Sequence, residues 1–428
     1  MSTLLSINNY YYERGGSEAV FFGHNRMLEA QGWTVVPFSM KLARNLPSPW
    51  SEYFVDELEM SGDYTLAQKL VRLPKVVYSF EARNKLSRLL ERVQPDVAHG
   101  HNIYHHISPS ILGLLKSRGI PTLLTLHDLK IACPAYSMVA RDGVCERCKG
   151  GKLYNVVAHR CIGNSAAMSF VVMLEAVVHR LLGSYRECVS RFIVPSRFYL
   201  DKFSEWGLPR SQFRYVPNFV HPPAYEPNYV PGKAFIYFGR LTPQKGVATL
   251  IHAVAEARVP LLVAGTGPEM EALQSLSARL SAQVTFLGHL SGSVLHESIR
   301  SARAVVLPSE WYENAPMSIL EAYALGKPVI GARIGGIPEL VREGDTGVSF
   351  ESGNLAALVG ALRDIAARPD PALVDMGRSA RAWVEQDFTL DMYRQRILAT
   401  YRDLGVRISG ISAVDPLRLE SSASGEGE

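Results

Sequence analysis

The chain lacks the features that mark several large functional classes. Five cysteines in 428 residues are too few for a disulfide scaffold. No Asp-x-Asp pair occurs, so the usual carboxylate clamp for a metal-bound diphosphate is missing. No run of Lys and Arg marks a nucleic-acid stripe, and 45 basic against 41 acidic residues leave a net charge of only +4. That excess suits a modest attraction to anionic substrates or an anionic membrane face. The longest uncharged apolar stretch, Cys161 to Leu174, is too short to span a bilayer. Met1 to Tyr12 carries no basic leader, and Asn8 and Asn9 cut its apolar run, so a cytoplasmic protein is expected.

What remains is a globular composition, 47% apolar and 20% charged, on a chain long enough for two domains. A short apolar strand at Leu4–Ile7 leads through a glycine turn into a helical pattern from about Ser17 to Ala30. Strand and helix patterns alternate from there. The same grammar restarts after Pro217, beginning with a strand at Ala234–Phe238. Residues 216–232 hold five prolines and little periodicity, which makes them the natural linker. The expectation is an α/β protein of two Rossmann-like domains facing across a cleft, 1–215 and 233–388. A last helix, 389–405, and a disordered tail, 406–428, follow.

Candidate chemistry falls where strands end. Glu313 follows the strand ending at Leu307 and precedes a helix starting near Pro316, a residue suited to a first helical turn. The amides of Asn314, Ala315 and Met317 would then be donors at a positive helix end, around Pro316, and Glu321 lies one to two turns further on. Two such glutamates alone would read as solvated helix-end acids. The loop after Phe238 adds Gly239, Arg240 and Lys245, a guanidinium and an ammonium placed to stabilise a diphosphate leaving group. Gly15 and Gly16 permit close backbone approach, with Ser17 a candidate helix cap, and Gly265 opens another strand-to-helix turn. His127 closes a strand, where it can meet a sugar hydroxyl or simply be a satisfied core residue. His99, His101, His105 and His106 crowd the end of the preceding strand and are candidates to line the same cleft.

The segments GGSE, LTLHD, FGRLTPQKG and ENAPMSILEA, the last followed by GKPVIGARIGGIPELVREGDTG, resemble glycosyltransferase family 4 over roughly residues 1–405. The resemblance implies the GT-B fold, a nucleotide-sugar donor and transfer with retention of configuration; the missing Asp-x-Asp pair, with Arg240 and Lys245 to stabilise charge, adds the expectation of no catalytic metal. It places Gly16 at the donor diphosphate, His127 at the donor sugar, Arg240 and Lys245 at the diphosphate, Glu313 at the sugar hydroxyls and Glu321 at the ribose. Asn314 to Met317 would supply backbone donors. Where many relatives have Phe-Gly after the first glutamate, this chain has Asn314-Ala315-Pro316. The implied acceptor is a glycan or a lipid-linked glycan of a bacterial surface, met in the cytoplasm or at the inner face of the membrane. A silent interaction module is the alternative from another class, and an epimerase or phosphorylase the alternative on the same fold.

Four of the five cysteines, Cys133, Cys145, Cys148 and Cys161, fall within 29 residues, with a Cys-x-x-Cys knuckle in the middle. That pattern suits a structural zinc ion or, less readily, an iron–sulfur cluster. Some bacterial sequences similar to this one share it. After it, Ser165–Leu182 is strongly apolar, a buried helix or an amphipathic element touching a membrane.

Overall fold

The computed structural model describes residues 1–57, 77–140 and 143–408. The tail expected to be disordered lies, from residue 409 on, outside the described residues. In chain order the strands are β1 (Thr3–Ile7), β2 (Thr34–Phe38), the two-residue pair β3 (Met40–Lys41) and β4 (Val55–Asp56), β5 (Val97–Gly100) and β6 (Thr122–Thr125). The small hairpin β7 (Val139–Ala140) and β8 (Gly143–Val144), then β9 (Arg191–Val194) and β10 (Phe213–Tyr215), follow. The remaining strands are β11 (Phe235–Phe238), β12 (Leu261–Ala264), β13 (Val284–Gly288), β14 (Val305–Leu307), β15 (Val329–Ala332) and β16 (Gly347–Phe350).

These build two parallel six-stranded sheets, in the orders β10-β9-β6-β5-β1-β2 and β13-β12-β11-β14-β15-β16. The second is the order of a doubly wound nucleotide-binding sheet. Its direction of winding reverses between β11 and β14, which leaves a crevice beyond their carboxyl ends. Strands such as Val305–Leu307 and Val329–Ala332 are continuous apolar runs, buried throughout, as a parallel sheet covered on both faces requires. Helices Val247–Ala257 and Leu355–Ala367 lay Leu250, Ile251, Val254, Leu358, Leu362 and Ile365 into a core with Phe235, Val263 and Val306. On the other side Ile319, Leu320 and Tyr323 of helix Met317–Ala324 pack with Ile236, Val305, Trp383 and Val384.

The chain divides into two compact units. The first takes Met1–Thr125, His179–Phe192 and the chain from Arg394 onward; the second takes Leu126–Val178 and Ile193–Tyr393. Within the first, Tyr401 of the last helix, Leu390–Asp403, is fully buried: its hydroxyl lies 2.8 Å from His99 Nδ1 and 3.1 Å from His24 Nε2. His99 and His101 are therefore core residues, stacked at 5.0 Å and almost wholly buried, not residues lining a cleft. Among the described residues no helix is long and apolar enough to cross a membrane.

Candidate functional site

The loop between β14 and helix Met317–Ala324 carries the densest chemistry of the second unit. Glu313 is buried, and its Oε1 accepts hydrogen bonds from Lys245 Nζ and Ser309 Oγ, both at 2.7 Å. Burial pushes its carboxyl up, but the Lys245 ammonium and the Ser309 hydroxyl outweigh it and hold the group below its ordinary value. Glu313 is thus an anion with one oxygen engaged twice. Lys245 closes the single turn Pro243–Lys245, and its ammonium also lies 5.3 Å from the Trp311 ring. Gly246 follows with φ +69°, and a Cβ there would fall 1.9 Å from the Pro308 carbonyl oxygen; only glycine lets the two loops meet.

Helix Met317–Ala324 starts after Pro316, and no side chain caps it. The Ile319 amide donates back to the Pro316 carbonyl at 3.1 Å, and the amides before it stand at a positive helix end. Asn218 Nδ2 donates to the Ala315 carbonyl at 2.8 Å and fixes the entry to the helix. Glu321, on the same helix, has no hydrogen-bond partner among the described residues, and burial lifts its carboxyl to about 7. A half-buried carboxyl with no partner is suited to hydroxyl donors of a ligand.

Arg240 stands at the carboxyl end of β11, with an exposed side chain that joins no hydrogen bond among the described residues. The structure does not bring it into the Glu313–Lys245 cluster. Gly239 (φ +151°) and Gly265 (φ +147°) end β11 and β12 side by side; a Cβ on Gly265 would lie 1.9 Å from the Gly239 carbonyl oxygen. Asn314 Nδ2 donates to the Leu126 carbonyl at 2.9 Å, and its Oδ1 accepts from Ser196 Oγ at 2.8 Å. Asn314 therefore ties the Glu313 loop to the backbone just before His127. Burial holds the His127 imidazole down to about 4, neutral at physiological pH.

Gly15 and Gly16 belong to the first unit, where Gly15 precedes helix Gly16–Glu29. The cap expected from Ser17 is not made; its hydroxyl donates to Glu18 Oε2 at 3.1 Å. A residue pair that sequence reasoning left out of the site is Gly335-Gly336. A Cβ on Gly335 would lie 2.3 Å from the Glu313 carbonyl oxygen, and one on Gly336 1.9 Å from that of Asn314. The Gly336 amide donates to the Glu313 carbonyl at 2.9 Å. The signal was the glycine doublet itself. Ser309 was also missed, since a serine four residues from a glutamate carries no pattern.

The thiols of Cys133, Cys145, Cys148 and Cys161 feel one another's charge, and burial, then these neighbours, push Cys148 up to about 12. Even so, among the described residues no group of three or more His, Cys, Asp or Glu side chains is arranged to hold a metal ion. A cavity of about 710 Å3 in the same unit, lined by Glu226, His296, Glu297 and Arg300 among others, holds none of the residues singled out from the sequence.

Two family models tile most of the chain: Glycosyltransferase Family 4 matches residues 14–222, and Glycosyl transferases group 1 matches residues 226–383. Glycogen synthase of Mycobacterium tuberculosis is 36% identical over 161 residues, 36% of this chain and 38% of that protein. D-inositol 3-phosphate glycosyltransferase of Mycobacterium avium is 34% identical over 174 residues, 39% of this chain and 41% of that protein. The chain thus spans about two fifths of the length of these curated relatives. Among solved structures, sucrose-phosphate synthase from Thermosynechococcus elongatus matches with a TM-score of 0.68 at 21% identity, covering 95% of this chain and 99% of that one. HepE of Anabaena, in complex with UDP-glucose, matches with a TM-score of 0.63 at 16% identity, covering 94% and 100%. At such identities the likeness is one of fold.

Proposed function

From a chain whose first half matches Glycosyltransferase Family 4 and whose second half matches Glycosyl transferases group 1, we propose a retaining glycosyltransferase that moves a hexose from a nucleotide sugar to a glycan or lipid-linked acceptor in bacterial surface polysaccharide synthesis. The observation that carries this reading is the buried Glu313, held as an anion by Lys245 and Ser309 at the carboxyl end of a doubly wound sheet.

Glu313 accepts hydroxyls of the donor sugar through its second carboxylate oxygen. Lys245 and Arg240 face the diphosphate, assisted by the amides of Asn314, Ala315 and Met317, and Glu321 takes the ribose hydroxyls. Neutral His127 is a hydrogen-bond partner for the sugar. The bond from the sugar's anomeric carbon to the phosphate oxygen breaks, and its electron pair stays with the nucleoside diphosphate. The acceptor hydroxyl attacks from the same face, and its proton passes to that phosphate oxygen. The ammonium and guanidinium stabilise the leaving charge, so this reading needs no catalytic metal. Glu313, engaged with Lys245, positions the sugar and is not assigned the nucleophile's part that one carboxylate plays in retaining glycosidases.

The reading extends to cytoplasmic work at the inner face of a membrane, supported by exposed Phe170, Leu174 and Leu181 along helix Ala166–Leu181. It also keeps the four thiols as a candidate structural zinc site, supported by their spacing and mutual charge coupling. Less than about half an equivalent of zinc in freshly purified protein would remove that part. The main test is nucleotide release from a panel of nucleotide sugars, with and without a lipid extract. Release with at least one donor, abolished in Glu313→Ala, is expected. Absence of binding and turnover for every donor would leave the silent interaction module as the better reading.

A further inference from the structure

The loop bearing the central cysteine knuckle and the loop bearing Glu313 meet in the second unit through one carboxylate. Glu146 sits between Cys145 and Cys148, and its Oε1 accepts from Lys202 Nζ at 2.7 Å and from the Tyr312 hydroxyl at 3.0 Å. Tyr312 directly precedes Glu313. Its backbone carbonyl accepts from the Tyr199 hydroxyl at 3.3 Å, and its ring packs on Phe198 at 4.8 Å. The residue before Glu313 is therefore held at both ends.

The carboxylate is itself held. Lys202 also contacts Glu205 at 3.2 Å, Glu205 contacts Lys149 at 2.9 Å, and Lys149 returns to Glu146 at 3.7 Å, which closes a ring of two acids and two lysines. Isolated surface ion pairs contribute little. Here the hub ammonium of Lys202 is only 10% exposed, and the tyrosine hydroxyl donates to a charged acceptor, the stronger kind of hydrogen bond. The sequence separation, 166 residues between Glu146 and Tyr312, makes this a tertiary link and not a local turn.

We propose that Glu146 is a positioning residue for Glu313, acting through Tyr312, so that the cysteine-bearing loop sets how well the Glu313 site holds its ligand. The consequence for turnover rests on the glycosyltransferase reading; the link itself does not.

The test uses the full chain with Glu146→Gln and Tyr312→Phe. Amide hydrogen exchange over residues 309–317 is expected to speed up at least about fivefold in both variants, with helix Leu355–Ala367 unchanged. Alkylation of Cys145 by iodoacetamide is expected to change at least about threefold in Tyr312→Phe, because a coupling is reciprocal. Gly360→Ala, on helix Leu355–Ala367 where a Cβ would meet nothing within 4 Å, is expected to stay within about twofold of the parent, which separates lost positioning from general loosening. With a donor that is turned over, each single variant should raise KM about three- to tenfold with kcat within about twofold, and the double variant should be no worse than the worse single. Unchanged exchange and alkylation overturn the proposal, as does a loss confined to kcat. If the parent protein turns over no donor, the glycosyltransferase reading falls while the exchange result still decides the link.

Discussion

Lys245 Nζ stands 2.7 Å from Glu313 Oε1, and the glutamate is far better shielded from water than the lysine, with side-chain exposures of 8% and 26%. Removing the lysine strands a buried carboxylate. Lys245→Ala is expected to cost about 2–3 kcal/mol, toward the low end for a buried pair because the ammonium is partly solvated. The Lys245→Ala/Glu313→Gln double variant should recover part of that loss. Glu313 is held below its ordinary value of 4.5, so the stabilisation is present above that pH and fades as pH falls through the lower folded value. Urea denaturation at pH 7 and pH 4 checks both points, and a double variant no better than Lys245→Ala would refute the pairing argument.

Glu321 is shifted the opposite way. Its carboxyl titrates near 7 in the fold against 4.5 ordinarily, so its burial is harmless below pH 4.5 and becomes a cost as pH rises through 7. Glu321→Gln should therefore raise stability at pH 8 by an amount on the order of 2–3 kcal/mol and leave it unchanged at pH 4.5. Nucleotide affinity should move in the other direction. The carboxylate accepts ribose hydroxyls better than the acid, so binding should strengthen severalfold from pH 6 to pH 8, and that dependence should vanish in Glu321→Gln. Calorimetric titration at the two pH values decides it.

Gly335 adopts φ +60°, and a Cβ there would meet the backbone of Glu313 at 2.3 Å. Gly335→Ala must push the Glu313 loop away, at a cost of about 1–3 kcal/mol from the backbone conformation alone. Donor affinity is expected to fall at least about tenfold, as the shift displaces a group that must sit within about 0.5 Å of its working position. Gly360→Ala, on helix Leu355–Ala367 where a Cβ would meet nothing within 4 Å, is the control. Equal donor affinities for the two variants would contradict this account.

Lys130 and Glu175 form a pair more deeply buried than the Lys245 pair, 2.9 Å apart with side-chain exposures of 5% and 1%; Lys130 also donates to the Pro134 carbonyl at 2.9 Å. The pair fastens the chain just after His127-Asp128 to helix Ala166–Leu181. Lys130→Met is expected to destabilise by about 3–5 kcal/mol, and the added Glu175→Leu change to restore much of it, because only the stranded charge is expensive. Thermal denaturation of the single and double variants measures the difference.

Much of the second sheet was legible beforehand. The apolar runs at 235–238, 261–264, 305–307 and 329–332 are bounded by glycine or proline turns, and parallel strands buried on both faces need such runs. Helix Met317–Ala324 showed its start through Pro316, since proline at a first turn forfeits no hydrogen bond. The site was legible as a set of loops at strand ends. Its internal partners were not: Lys245 and Glu313 are 68 residues apart, and Asn314 and Leu126 are 188 apart. His99 misled because a histidine at a strand end reads alike whether it faces a ligand or, as here, a tyrosine from the last helix.

By itself the sequence determined the alternation of strand and helix, the glycine turns and the two glutamates eight residues apart, because these depend on local periodicity and backbone sterics. Tertiary structure alone decided which oxygen of Glu313 is occupied and which carboxylate is left without a partner. It also decided that the cysteine loop reaches Tyr312 through Glu146. Those outcomes are set by side-chain burial and by contacts between residues distant in the chain, and spacing along a sequence does not encode either.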